Sequence, residues 1–384
     1  MLKSRWLSLN FFAFFFTWGI FLPYWTGWLV SAKGLTVFQA GTVMGTGMFI
    51  RAFSTLFLFP AAARRFPIAG VMKAGVVLSF LIALLYMPAG SYTAILIVTA
   101  AFNIVYPNLL PAMETSASVL IQKDRINYSR SRAYGSAGYM VAVLIVGAVT
   151  ALFGNEAILW AMFAGLLLML GTQYTAVPAS LGRGEPGKPP EKRSGAFREL
   201  VRNRGFLTVL AVSVLLQGAH ASYYNYGFVY LEDLGVASFT IGLVLNVAIL
   251  FEILFFGTAD RLFGNTPASR MFLLAAAGST LRWVLIFLMP TVWMFTLTQA
   301  LHAASFGIAH VAFIRYISEK LPTRLIAPAQ ALYAAFAMSL STAFLTLLGG
   351  ALYEIQPGLS FLSMVICTVP AALIVFSTKK RFSY

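Results

Sequence analysis

Apolar residues run through this chain in blocks of about 20, the length that carries a helix across a hydrocarbon core. They do not alternate with polar residues as the strands of a barrel do. Twelve spanning helices are predicted, over residues 6–30, 37–61, 68–88, 91–120, 132–153, 157–178, 206–231, 238–262, 269–289, 291–318, 325–351 and 358–377. The one long break, residues 180–205, is rich in Gly, Pro, Lys and Arg. The expected organisation is a six-helix half over 1–179, a basic linker over 180–205 and a second six-helix half over 206–384.

Polar residues inside these blocks are the informative exceptions. In Gln299–Tyr316, QALHAASFGIAHVAFIRY, helical periodicity gathers Gln299, His302, Phe306 and His310 on one narrow face. Gln217, His220, Tyr224 and Gly227 form a second polar stripe. Five charges interrupt other runs: Arg51, Glu114, Arg132, Glu252 and Arg282. Insertion costs of about 2.5–3.5 kcal/mol each sum to on the order of 12–17 kcal/mol before pairing. Such residues persist where they pair, face water or bind something. Three arginines against two carboxylates leave one positive charge for an anionic substrate, and a guanidinium fork suits a carboxylate. All three histidines lie in the C-terminal half, which points to proton handling there, because imidazole titrates near neutral pH.

Charge placement sets the expected orientation. The chain carries 27 Lys and Arg against 12 Asp and Glu, a net charge of +15. The bases are scattered between apolar runs rather than gathered with aromatics, so nucleic acid is not the expected partner. With twelve spans, both termini and the linker share one side. That side holds Lys3, Arg5, Arg64, Arg65, Lys73, Lys123, Arg125, Arg130, the linker bases from Lys188 to Arg204, Arg261, Arg270, Lys320, Arg324, Lys379, Lys380 and Arg381. The other side holds only Lys33 among bases, with Glu156, Glu232, Asp233 and Glu354. The excess of bases marks the first side as cytoplasmic. Lys3 and Arg5 ahead of an apolar run imitate a signal peptide, but the run is long and lacks a small-residue cleavage site, so it reads as a retained span.

The halves repeat. Gly34, Phe38 and Gly41 match Gly235, Phe239 and Gly242 at an offset of 201 residues (235 − 34). That register sets Arg51 opposite Glu252. Internal repeats with polar residues near their interface are a transporter's layout. Several other chemistries drop out. The string Gly182-Arg-Gly-Glu-Pro-Gly187-Lys188 imitates a phosphate loop, but Pro189 stands where Ser or Thr must be, and no strand precedes it. Metal-ligand spacing is missing, with His302 and His310 eight residues apart, and the single cysteine, Cys367, excludes an internal disulfide. Trp18, Tyr24, Trp25 and Trp28 in the first span could line a pocket for a ring or form an interfacial belt.

Twelve spans, a basic central linker and matching halves resemble the major facilitator superfamily. Gly257-Thr-Ala-Asp260-Arg261-Leu-Phe-Gly264, with Arg270 after it, resembles that superfamily's conformational loop motif in its second-half copy. The first-half equivalent, around Ala62–Phe66, is degenerate. Within the superfamily the chain is similar to the lactose permease and nucleoside symporter branch, and most of all to the phenylpropionate permeases. WGIFLPYW, YSRSRAYGSAGY, LLQGAHASYY, and LRW with LHAASFGIAHVAFIRYI carry that likeness. The resemblance implies a substrate pair in Glu114 and Arg132 and a proton-coupling region in Arg282 and His302. Gln330 and Tyr333 resemble residues of the phenylpropionate group. Two departures stand out: Ser305 replaces a glutamate of lactose permease, and Glu252 does not align with that permease's eighth-helix glutamate.

Together these readings lead to an expected fold and function. The fold is an all-α polytopic membrane protein with twelve helices in two pseudo-symmetric halves. The function is proton-coupled import of a small aromatic carboxylate, not enzymatic catalysis. Nucleosides or sugars are the alternative cargo, and export is the weaker direction. Substrate contacts are expected from Arg51, Glu114, Arg132, Tyr24, Trp25, His220, Tyr224, Gln330 and Tyr333. Proton coupling is expected from Glu252, Arg282, His302 and His310, with Glu252 as carrier. The protein is expected to need no metal or cofactor, to draw on a proton gradient and to act as a monomer. Its expected place is a bacterial inner membrane, with both termini cytoplasmic.

Overall fold

The computed structural model describes residues 2–175, 177–182, 195–382 and 384, and among them every regular element is helical. Among the described residues, ten helices are long and apolar enough to cross a membrane, and two shorter apolar helices complete the order. They are α1 (Leu2–Ser31), α2 (Val37–Arg65), α3 (Ile68–Leu84), α4 (Tyr92–Asp124), α5 (Tyr128–Phe153) and α6 (Ala157–Gln173). After the linker come α7 (Arg204–Asp233), α8 (Ser238–Phe263), α9 (Ala268–Leu288), α10 (Val292–Lys320), α11 (Thr323–Ile355) and α12 (Pro357–Phe382). Short helices at Ala179–Gly182 and Ala196–Arg202 bracket the linker. The rest of the linker, with most of the Gly182–Lys188 string, lies outside the described residues.

The helices group into two compact units. The first comprises Met1–Thr36, Thr46–Glu191 and Ala237–Gly242; the second comprises Val37–Gly45, Lys192–Val236 and Leu243–Tyr384. In the first unit, α1 packs along α5 so closely that a Cβ on Gly138 would sit 2.2 Å from the Phe12 carbonyl oxygen. The unit is filled by rings: Phe14, Phe102 and Tyr106 stack at 4.9–5.0 Å, and the Tyr106 hydroxyl donates to the Phe14 carbonyl at 2.8 Å. The second unit buries α7, α9, α10, α11 and α12 around residues such as Phe272, Phe313 and Leu216.

The internal repeat has a structural counterpart. Gly34 and Gly235 both take the left-handed backbone conformation, with φ of +67° and +75°, which ends α1 and α7. In the second unit the Tyr226 hydroxyl donates to the Thr346 carbonyl at 2.6 Å and fills the space a Cβ on Gly41 would need. In the first unit the Tyr24 hydroxyl donates to the Val143 carbonyl at 2.7 Å beside Gly242. The same tyrosine–carbonyl–glycine arrangement thus occurs once in each unit, and Gly41 and Gly242 are the repeat partners.

Several spans are not continuous α-helix. Ser54–Leu58 in α2, Ala303–Ile308 in α10 and Tyr333–Leu340 in α11 are wound as π-helix. Tyr106–Asn108 in α4 is a 3₁₀ turn, and α7 breaks at Ala219–His220. Proline explains two of these. Pro107 sits inside the 3₁₀ turn, and Pro60 lacks an N–H and crowds the carbonyl four residues before it, which loosens the preceding turn. The other irregular turns adjoin His302, Tyr333 and His220, and π-turns of this kind frequently mark functional positions.

Candidate functional site

A buried polar cluster lies in the second unit. Arg282 on α9 is fully buried and pinned by two partners from α10. Its Nη1 donates to His302 Nδ1 at 2.9 Å and its Nη2 donates to Gln299 Oε1 at 3.0 Å. The guanidinium lies over the Tyr223 ring at 4.3 Å and the Trp283 ring at 4.7 Å. Desolvated cation–π contacts contribute about 2 kcal/mol or more. Among the described residues, its Nε has no hydrogen-bond partner.

Partner chemistry fixes the state of His302. Arginine can only donate, so Nδ1 must be the accepting, unprotonated nitrogen. The proton is therefore on Nε2, which faces Glu252 Oε2 at 3.3 Å. A neutral imidazole thus bridges a guanidinium to a carboxylate from α8. His302 is 5 % exposed, whereas the Glu252 side chain keeps 28 % accessibility. The Arg282 end of this series of contacts is buried, and the Glu252 end is the accessible one.

His220 sits at the break in α7 with φ −92° and ψ 0°, a conformation common at functional positions. Its Nδ1 faces the Leu216 carbonyl at 3.0 Å, so Nδ1 carries a proton, and Nε2 meets Ser305 Oγ at 3.0 Å. The ring stacks on Tyr224 at 5.8 Å and meets His302 edge-on at 5.4 Å. Further along α10, the rings of His302, Phe306 and His310 stack at 5.3 and 6.0 Å, within 6° of parallel. The π-turn produces that alignment. Four residues of α-helix overshoot a full turn by about 40°, and the wider π-turn brings them back into line. His310 Nδ1 then meets the Tyr333 hydroxyl at 3.0 Å. Tyr333 is buried and stacks on Phe313 at 4.2 Å, while Gln330 is exposed on α11.

The first unit is arranged differently. Arg51 lies three residues before the π-turn of α2, and its guanidinium lies 4.8 Å over the Trp18 ring. Its Nη1 makes a long hydrogen bond of 3.9 Å to the Met48 sulfur. Arg132 on α5 pairs with Glu114 on α4 at 3.7 Å and lies over Phe15 at 4.2 Å; Tyr128 donates to the same carboxylate at 2.8 Å. Tyr24 and Trp25 are fully buried: Tyr24 is bonded to α5, and Trp25 packs on Trp28 at 4.4 Å and Tyr86 at 4.9 Å. The structure places these two in helix packing rather than on a pocket wall. The aromatic positions beside Arg51 are Trp18 and, stacked with it, Tyr106.

Gly257, Asp260, Arg261 and Gly264 sit exposed around the end of α8. Sequence reasoning did not single out Arg315, which donates to the Phe263 and Thr266 carbonyls and holds the turn after α8. Gln299, Ser305 and Tyr223 also join the cluster without having been named as site residues. Among the described residues, no group of three His, Cys, Asp or Glu side chains is placed to hold a metal ion.

Glu199 in the short helix Ala196–Arg202 forms a bidentate pair with Arg324 at the start of α11. Those hydrogen bonds hold its carboxyl below the usual glutamate range.

Comparison with known proteins agrees with this architecture. The chain is 27% identical over 369 residues to the "Probable 3-phenylpropionic acid transporter" of Escherichia coli (strain K12), covering 96% of each chain. It is 29% identical over 375 residues to the maltose permease of Geobacillus stearothermophilus, covering 97% of this chain and 94% of that one. Among solved structures, the nucleoside transporter NupG superposes with a TM-score of 0.82 at 16% identity, with full coverage of both chains. The peptide transporter POT in complex with sulfate superposes with a TM-score of 0.77 at 14% identity, covering 99% of this chain and 94% of that one. Residues 4–363 match the MFS_1 like family. The chain therefore belongs to that family of the major facilitator superfamily, and it is a multi-pass membrane transporter rather than an enzyme.

Proposed function

We propose that this transporter imports a small aromatic carboxylate, of the 3-phenylpropionate type, together with a proton. The observation that carries the reading is the Arg282–His302–Glu252 chain, in which an accessible carboxylate is joined to a buried cation through a neutral imidazole. With Glu252 ionised, the chain of groups is electrically neutral. With Glu252 protonated it carries one net positive charge, and a bound anion restores the balance. Loading of proton and anion therefore favour each other, which is the thermodynamic requirement for symport.

Arg51 is the anchor for the substrate carboxylate. Arg132 already has Glu114 at 3.7 Å, while the Arg51 guanidinium has an aromatic face and a thioether. Trp18 and the Tyr106–Phe14 stack beside it suit an aromatic ring. Glu114, Arg132 and Tyr128 shape the same unit, and His220 and Tyr224 complete the polar surround of His302. The basic side is cytoplasmic, both termini lie there, and the inner membrane's proton gradient supplies the energy to a monomer without cofactor. The name of the Escherichia coli relative supports the substrate class.

The test is uptake of labelled 3-phenylpropionate by proteoliposomes with and without an imposed pH gradient. Accumulation only with the gradient is the expected result, and equal uptake in both overturns coupling. The maltose permease relative favours a second reading, a sugar or nucleoside as cargo. A competition panel separates the two, since only anionic aromatics displace the label if Arg51 grips a carboxylate.

A further inference from the structure

The three histidines of the second unit differ in what their partners allow. His302 Nδ1 faces Arg282, so a second ring proton would set two donors against each other and break the 2.9 Å contact. His220 is fully buried with one nitrogen committed to the Leu216 carbonyl. His310 is half-buried, and its Nδ1 faces a tyrosine hydroxyl at 3.0 Å. A hydroxyl donates to a neutral imidazole and accepts from an imidazolium, so this bond survives in both charge states. His220 also meets a hydroxyl, Ser305 Oγ at 3.0 Å, but within a fully buried site, so His310 is the one of the three that combines a partner tolerant of both charge states with partial exposure.

Its position suits a particular use. His310 lies eight residues beyond His302 toward the Lys320 end of α10, roughly 12 Å along the axis. Phe306 stands between the two rings. From α8, Phe256 meets the His310 ring edge-on at 6.1 Å, one helical turn after Glu252. Tyr333 from α11 bonds it directly, its own helix carries His302 beyond Phe306 and Arg315 held by two carbonyls, and on α8 Glu252, one turn before Phe256, meets His302 at 3.3 Å. From α7 comes uncharged Gln217, which donates to the Phe306 carbonyl at 3.4 Å.

We infer that the His310–Tyr333 pair is the station through which the transported proton leaves Glu252 on the Lys320 side. The inference rests on Glu252 being the carrier. In the release step the carboxyl O–H of Glu252 breaks, intervening water relays the proton, and an N–H forms on His310, leaving a carboxylate and an imidazolium. The imidazolium then passes that proton to water and returns to its neutral form. His302 touches Glu252 through Nε2 but keeps Nδ1 on Arg282 throughout, so the bridge is not broken when the proton departs.

Two measurements test this. Hydrogen–deuterium exchange at histidine C2, read by mass spectrometry across about pH 5 to 8, needs no substrate. It should show a titration inflection at His310 and flat profiles at His220 and His302. A flat His310 profile, or an inflection at His302, overturns the inference. In proteoliposomes, His310→Gln should retain exchange of internal for external 3-phenylpropionate, which needs no proton release, while net gradient-driven uptake slows by about tenfold or more. Tyr333→Phe, which keeps the ring packing on Phe313, should shift the pH profile of net uptake. If Glu252→Gln abolishes accumulation but His310→Gln accumulates as fast as the parent, the station fails and the carrier stands. If Glu252→Gln still accumulates substrate, the carrier reading fails and takes the station with it.

Discussion

The two units hold buried charge in opposite ways. In the first, arginines rest on aromatic faces: Arg51 on Trp18, and Arg132 on Phe15 with Glu114 as counter-ion. In the second, Arg282 also has aromatic faces, but its hydrogen bonds run into an amide and an imidazole and then to a carboxylate. The first arrangement sets the Arg51 guanidinium, held by a ring face and a thioether, beside flat rings, which suits holding an aromatic anion. The second offers a graded path from a fixed cation to an accessible acid, which suits holding a proton. On the proposed function, cargo and driving ion are held by different units, with Arg51 and Glu252 at the same register of the sequence repeat.

The largest expected effect falls on the proton side. Glu252→Gln should abolish accumulation against a gradient while leaving substrate exchange measurable, as read by isotope uptake. His302→Phe removes the bridge and should likewise uncouple uptake, because Arg282 would be left buried without its Nδ1 acceptor. Cargo grip comes next. Arg51→Ala removes charge-assisted hydrogen bonds worth about 1.5–3 kcal/mol each, so substrate affinity should fall roughly 10- to 100-fold in binding calorimetry. Arg132→Ala should have the smaller effect on affinity, since Glu114 already occupies that guanidinium. Equal losses at Arg51 and Arg132 would contradict the assignment of the carboxylate to Arg51.

Smaller effects probe the scaffold. Gly138→Ala forces a Cβ to within 2.2 Å of the Phe12 carbonyl oxygen, and overpacking of this kind costs about 1–3 kcal/mol. Thermal unfolding in detergent should show the loss, and Gly70→Ala, in open space, should not. The smallest effect belongs to Glu199 and Arg324. Because the folded carboxyl is held below its ordinary value, the pair stabilises above the unfolded glutamate pKa of about 4.3 and that contribution is lost as pH falls through the folded value. Arg324→Ala should therefore lower the melting temperature slightly at neutral pH and not in acid. Solvent screening keeps the shift small, because the pair is exposed.

Much of the fold was legible because lipid imposes a strong rule on sequence: apolar runs of spanning length, with breaks only where charge or glycine is tolerated. The repeat was legible because Gly34 and Gly235 must take a left-handed backbone and Gly41 and Gly242 must admit a tyrosine. The polar faces of α7 and α10 were legible as stripes. The ring stack of His302, Phe306 and His310 required the π-turn, which an assumption of uniform α-helix does not contain. Tyr24 and Trp25 looked like pocket aromatics because composition cannot distinguish a ring facing a cavity from one facing another helix. Arg315 was hidden at the end of a run, where a base ordinarily reads as a snorkelling side chain. The states of the histidines depend on partners up to 85 residues away, beyond any local pattern.

The most direct test of the central claim is proton movement itself. When 3-phenylpropionate is added to de-energised vesicles carrying the protein, a pH electrode should record alkalinisation of the medium in step with uptake. The Glu252→Gln variant should give exchange without that signal. Uptake by the parent protein with no alkalinisation, or an undiminished signal in the variant, would contradict the assignment of the coupled proton to Glu252.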